Sequence, residues 1–158
     1  MNNHGFTLIE TVIYIALLAL IMGGALLVSL DLIEGSGRTG SNTTLQDEGN
    51  FVLRKINWAL TGASAINTPA SGISATLSVS RYDGLEVRVR RTGTTLEMSE
   101  DGGANYFFLT TENVSVTGLE FRRVAGTPPG VIATTTMRNA ATTTLGSVDF
   151  VIKKYLRK

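Results

Sequence analysis

From Thr11 to Leu30 the chain reads TVIYIALLALIMGGALLVSL, twenty residues without a charge. Wound as a helix at about 1.5 Å per residue, such a stretch covers the roughly 30 Å hydrocarbon thickness of a bilayer. Its apolar side chains fall on every side of that helix rather than along one stripe, so it does not read as the surface helix of a soluble domain. The chain therefore divides into a membrane-compatible segment and a remainder of different character.

Charge divides at the same place. The 158 residues hold 14 basic and 13 acidic side chains, a formal net charge of +1. Residues 1–33 contribute only Glu10 and Asp31, which leaves all 14 basic residues and 11 acidic ones in the rest of the chain. Bulk charge thus gives no reason to expect a polyanion binder. With no cysteine, disulfide frameworks, thiolate metal sites and cysteine nucleophiles are excluded. The single histidine, His4, lies at the extreme N-terminus, which removes histidine triads and multi-histidine metal sites from the body of the chain. No P-loop occurs. The expectation is a chain that is not an enzyme and carries no cofactor.

A secretory signal would need a basic leader and an apolar core of about 7–15 residues. Here no Lys or Arg precedes the run, and the run is longer. The front of the chain instead reads Met1-Asn2-Asn3-His4-Gly5, then Phe6-Thr7-Leu8-Ile9-Glu10. A short polar leader ending in Gly, followed by F-T-L-I-E at the opening of an apolar helix, resembles the class III signal of type IV prepilins. The pseudopilins of type II secretion and DNA-uptake machines share it. Two features depart from the pattern: the leader lacks a basic residue, and Gly23-Gly24 stands where many pilins carry a mid-anchor proline.

The resemblance implies an α+β, pilin-like fold, in which a long hydrophobic helix continues into an amphipathic half packed on an antiparallel β-sheet head. It implies cleavage between Gly5 and Phe6 by a prepilin peptidase, which can approach the Gly5 carbonyl closely because no side chain obstructs it. It also implies N-methylation of the new Phe6 amine and pairing of Glu10 with the Phe6 amine of a neighbouring protomer. The residues themselves show why Glu10 needs a partner: an acidic group at a membrane-helix centre costs about 2.5–3.5 kcal/mol, and residues 1–33 contain no Lys or Arg. The alternative is Glu10 at headgroup level beside the helix N-terminal dipole. Implied partners are other pilin or pseudopilin subunits, the peptidase, an inner-membrane assembly platform and membrane lipid. The implied location is the cytoplasmic membrane with the C-terminal head exported, and then a surface or periplasm-spanning filament. The competing readings are a bitopic, membrane-anchored exported domain that never assembles, and a secreted binding domain whose signal is removed by cleavage near Gly35 to Gly40.

The expected divisions are a leader at 1–5, an apolar helix at 6–33, a linker and amphipathic helix at 34–63, and a β-rich head at 64–158. Gly35, Gly37 and Gly40 predict a frayed or broken helix, each costing about 1 kcal/mol. Leu45, Gly49, Val52, Ile56, Ala59 and Ala63 form one helical face, flanked by Phe51 and Trp58. Beyond it the period becomes two, in Leu77/Val79, Leu85/Val87/Val89, Leu96/Met98, Val114/Val116, Leu119/Phe121 and Val148/Phe150/Ile152. Asp83-Gly84 and Asp101-Gly102-Gly103 supply turns, and Pro69 and Pro128-Pro129-Gly130 mark longer connections. Thr134 to Asn139 resembles a C-terminal strand of J-like or W-like minor pilins, and Ser147 to Tyr155 adds a further strand.

Two groups carry candidate chemistry in the head. Glu97, Glu100, Asp101 and Asn105 place four oxygen donors in nine residues, a calcium candidate without EF-hand spacing, or else an acidic hairpin turn. Arg88, Arg90 and Arg91, the pair Arg122-Arg123, and the tail Lys153, Lys154, Arg157 and Lys158 could touch DNA phosphates, or simply be solvated faces.

Overall fold

A computed structural model describes residues 7–140 and 146–156. It shows one long helix followed by an antiparallel β head: α1 (Leu8–Thr61), β1 (Ala63–Thr68), β2 (Ile73–Ser74), β3 (Leu77–Arg81), β4 (Glu86–Thr92), β5 (Thr95–Ser99), β6 (Phe107–Phe108), β7 (Val114–Val124), β8 (Gly130–Asn139) and β9 (Val148–Tyr155). The architecture is α+β, as the sequence predicts. By contacts the chain divides into two units, Met1–Gly40 and Ser41–Lys158.

In the first unit, Leu8–Ile33 has a mean hydropathy of 2.5 and none of it is buried. Its polar side chains bond locally: the Ser29 hydroxyl donates to the Ala25 carbonyl at 2.8 Å, as a helix surrounded by hydrocarbon requires. The expected break at Gly35–Gly40 does not occur, since α1 is helical throughout that stretch. The three glycines together cost about 3 kcal/mol. A break would instead leave up to four unpaired backbone groups at each new end and require a second helix nucleus.

In the second unit the predicted helical face is the buried one. Leu45, Val52, Ile56 and Ala59 are each at most 3% exposed, and Leu60 joins them. Gly49, on the same face, lies under the Phe150 ring, where a Cβ would come within 2.2 Å of ring carbons. Ala63, expected as the last residue of this helix, is instead the first residue of β1 and stays buried. The helix ends at Thr61, and over the next residue, Gly62, lies the Arg81 guanidinium: a Cβ there would sit 2.7 Å from it. Arg81 donates to the Trp58 carbonyl at 3.1 Å and stacks 4.0 Å above the Trp58 ring centroid. A cation from β3 thus satisfies one of the orphan carbonyls of a helix whose last turn has no basic residue of its own.

The strands form a five-stranded sheet in the order β1-β3-β4-β5-β6 and a four-stranded sheet in the order β2-β7-β8-β9. Val114/Val116 and Leu119/Phe121, expected as separate strands, belong to one eleven-residue strand, β7. Their apolar phase changes by one residue, and a bulge between Val116 and Gly118 absorbs the extra residue so that both halves face the core. Gly84, Gly102 and Gly103 adopt φ values of 85°, 73° and 100° in the predicted turns.

The strand β7 joins the two sheets. Near its start, Val116 N–H donates to the Thr94 carbonyl at 2.8 Å, and Arg91 donates to the Val116 and Thr117 carbonyls. Near its end, Arg123 reaches the Ile66 and Pro69 carbonyls at 2.8 and 3.1 Å. It therefore runs from the β4–β5 turn to the end of β1. One core, which includes Phe121, Leu77, Leu96 and Met137, fills the space between both sheets and the second half of α1.

Candidate functional site

The Gly5–Phe6 cleavage position and the Phe6 amine lie outside the described residues. The structure begins just beyond them, at the N-terminus of α1. Thr7 precedes the first helical residue, and its Oγ1 accepts a hydrogen bond from the Glu10 N–H at 3.4 Å. This is the N-cap contact of a Thr-x-x-Glu capping sequence, in which the hydroxyl satisfies one of the helix's first four unpaired N–H groups. The T-x-x-E spacing of Thr7 and Glu10 carries the signal of this cap in the sequence.

Glu10 is the acidic residue of the first turn, where the positive end of the helix dipole favours a carboxylate. It is half-buried, and the Tyr14 hydroxyl, one turn on, donates to its Oε1 at 3.3 Å. No Lys or Arg occurs between it and Arg38. Around and beyond it the helix presents an unbroken apolar surface: Ile9, Leu20, Ile21, Leu27 and Ile33 are each at least 65% exposed. A lone carboxylate beside the N-terminus of such a helix can attract a cation supplied from outside this segment.

The acidic residues of the head are organised differently. Asp101 accepts from Ser99 Oγ at 2.6 Å and from the backbone N–H and side-chain amide of Asn105 at 2.9 and 2.6 Å. Led by the Asn105 N–H, these donors hold the Asp101 carboxyl well below the usual carboxylate range. Asp101 and Asn105 therefore meet in a self-bonded turn. Glu97 turns away from them, 2.9 Å from both Arg90 Nε and Thr92 Oγ1, and Glu100 lines a different cavity with Phe51 and Lys55. Among the described residues no group of three His, Asp or Glu side chains could hold a metal ion.

The basic residues fall into two places. On the first sheet Arg88 pairs with Glu86 and Arg90 with Glu97, both at 2.9 Å, and Arg90 stacks 3.6 Å from the Tyr106 ring centroid. The Arg88 and Ser78 hydrogen bonds hold the Glu86 carboxyl below its ordinary value. On the second sheet Arg122 and Arg123 lie two strands from Lys153 and Lys154. Arg157 and Lys158 lie outside the described residues.

Residues 1–26 match the family model described as the prokaryotic N-terminal methylation motif. The chain thus opens with a prepilin-type cleavage and methylation signal, followed by an apolar helix and an antiparallel β head. This arrangement fits a pilin-like or pseudopilin-like precursor anchored in a membrane by its apolar helix. No curated protein and no solved structure matches the chain.

Proposed function

We propose that this chain is a structural subunit, a minor pilin or pseudopilin, of a type IV pilus-like filament. The observation that carries this reading is the methylation motif over residues 1–26, which runs into the apolar helix Leu8–Ile33. Prepilin peptidase cleaves between Gly5 and Phe6 and methylates the Phe6 amine, and the platform then withdraws the subunit from the membrane. Exchanging lipid for neighbouring helices costs little, because both are apolar. Direction and register come from polar groups: Glu10, with a local hydroxyl donor but no cation on its own apolar segment, pairs with the Phe6 amine of the adjacent protomer.

Mass spectrometry of the N-terminal peptide from native membranes or sheared filaments tests the proposal. The expected product begins at N-methyl-Phe6 and is lost on Gly5→Leu. A chain that retains Met1 in the filament fraction, or one that is never found in filaments, refutes it. In the second case the bitopic anchored domain stands.

A further inference from the structure

One cavity of the head lies on the outer face of the first sheet, opposite the side where Val79, Val87 and Val89 are buried in the core. It holds about 350 Å³ and is lined by Asn67, Thr68, Thr76, Ser78, Glu86 and Arg88, a volume within the range of about 300–1,000 Å³ of small-molecule sites. A sheet face ordinarily has no depth, and here two features wall it. On one side the β1–β3 register slips between Ile66 and Thr68, so that Asn67 is an extra residue on β1; a bulge of this kind re-aims a side chain. On the other side the loop after β5 folds back against β4. The Gly102 N–H donates to the Glu86 carbonyl at 2.8 Å, and a Cβ on Gly103 would lie 3.0 Å from Arg88 Nη1. The bonds of Asp101 to Ser99 and Asn105 hold that loop in place.

The lining is pre-organised and only partly satisfied. Ser78, 8% exposed, donates its hydroxyl to Glu86 Oε1 at 2.8 Å, and Arg88 Nε donates to the same oxygen at 2.9 Å. The Asn67 amide donates to Ser80 Oγ at 2.9 Å. Among the described residues nothing donates to Glu86 Oε2 or to Asn67 Oδ1, and the Thr68 and Thr76 hydroxyls make no hydrogen bond. Two acceptors and two hydroxyls, each able to donate, thus border one cavity.

We infer that this cavity binds a neutral saccharide unit, whose hydroxyls donate to Glu86 Oε2 and Asn67 Oδ1 and accept from Thr68 and Thr76. The lining excludes the other ligand classes. A phosphate or carboxylate would face the Glu86 carboxylate, and Arg88, the one cation of the lining, is already paired with it. A metal ion would find a single carboxylate with one oxygen occupied twice. A lipid or an apolar peptide side chain would find no aromatic and no purely aliphatic group. A ligand that carries several hydroxyls and no charge matches every group present. The inference goes beyond the filament reading and does not depend on assembly.

Saturation-transfer NMR tests it on the full chain in a phosphocholine detergent, which presents no sugar headgroup, with the methyl glycosides of glucose, galactose, mannose and N-acetylglucosamine as probes. At least one should bind with a dissociation constant of about 1–10 mM, as a ligand of this size allows, and its affinity should not change with salt. Thr76→Val deletes one unpartnered hydroxyl and should weaken binding several-fold with an unchanged urea midpoint. Glu86→Gln, which turns one acceptor oxygen into a donor, should weaken it about tenfold; native Trp58 emission checks that this variant is folded. Transfer to none of the four probes above that from empty micelles overturns the inference, as does binding that both variants leave intact. Tighter binding of galacturonate than of the galactoside, weakened by salt, overturns it as well, since the cavity would then be an anion site built on Arg88.

Discussion

Replacing Gly49 with Ala should destabilise the head, although alanine is the better helix former. Gly49 is buried in α1, and an added Cβ would lie 2.2 Å from Phe150 Cε1 and Cζ and 2.5 Å from Cε2. The favourable term is about 1 kcal/mol of helix propensity. Against it stands overpacking, typically about 1–3 kcal/mol, and the upper part of that range applies because a 2.2 Å contact forces the ring to move by more than 1 Å to reach ordinary carbon separation of about 3.5 Å. The net expectation is a loss of about 1–2 kcal/mol. Urea unfolding of the full chain in detergent, followed by emission from the single tryptophan, Trp58, measures it. In a Phe150→Leu background the ring is gone, so Gly49→Ala should become neutral or stabilising, a coupling of at least about 1 kcal/mol across the cycle. Stabilisation by Gly49→Ala in the parent chain, or the same effect in both backgrounds, would refute the reasoning.

Arg81→Met should cost about 1–3 kcal/mol, since it deletes a charged hydrogen bond to the Trp58 carbonyl and the stack on its ring; the same unfolding assay, with an altered native Trp58 emission, checks it. Asp101 titrates lower in the folded chain than when unfolded, so its contribution is present above about pH 4 and is lost as pH falls. Asp101→Asn should therefore flatten the acid limb of a stability–pH curve, by a small, salt-sensitive amount because the group is solvent-exposed; an unchanged acid limb would mean that the turn does not depend on this carboxylate.

The membrane-compatible helix, the processing signal and the apolar face of the second half of α1 were legible in the sequence, because each depends on residues close together along the chain. Thr7 and Glu10 are three residues apart, and Leu45, Val52, Ile56 and Ala59 repeat at helical spacing. The period-two segments likewise announce β3, β4, β5, β9 and, as two pieces, β7, whereas β8 is legible only through the resemblance of Thr134 to Asn139 to a minor-pilin strand. The short strands β1, β2 and β6 were not anticipated. Residues such as Ile73-Ser74 and Phe107-Phe108 have too little length for a period and become strands only by pairing with β7 and β5. The glycine-rich stretch misled for a related reason, since local propensity measures the cost of helix at each residue but not the cost of ending one.

The sequence by itself determined that this chain has an apolar, nearly uncharged helix with a prepilin-type signal at its front, followed by alternating strands. Only the tertiary structure decided what the charged residues of the head do. Arg81 donates to the Trp58 carbonyl, 23 residues earlier in the last turn of α1, and Asp101 holds its own turn. Arg122 and Lys153, 31 positions apart, stand in one row because antiparallel register brings them together. Register and sheet order are set by burying one face of every strand at once, a condition on the whole head that no local window of sequence contains.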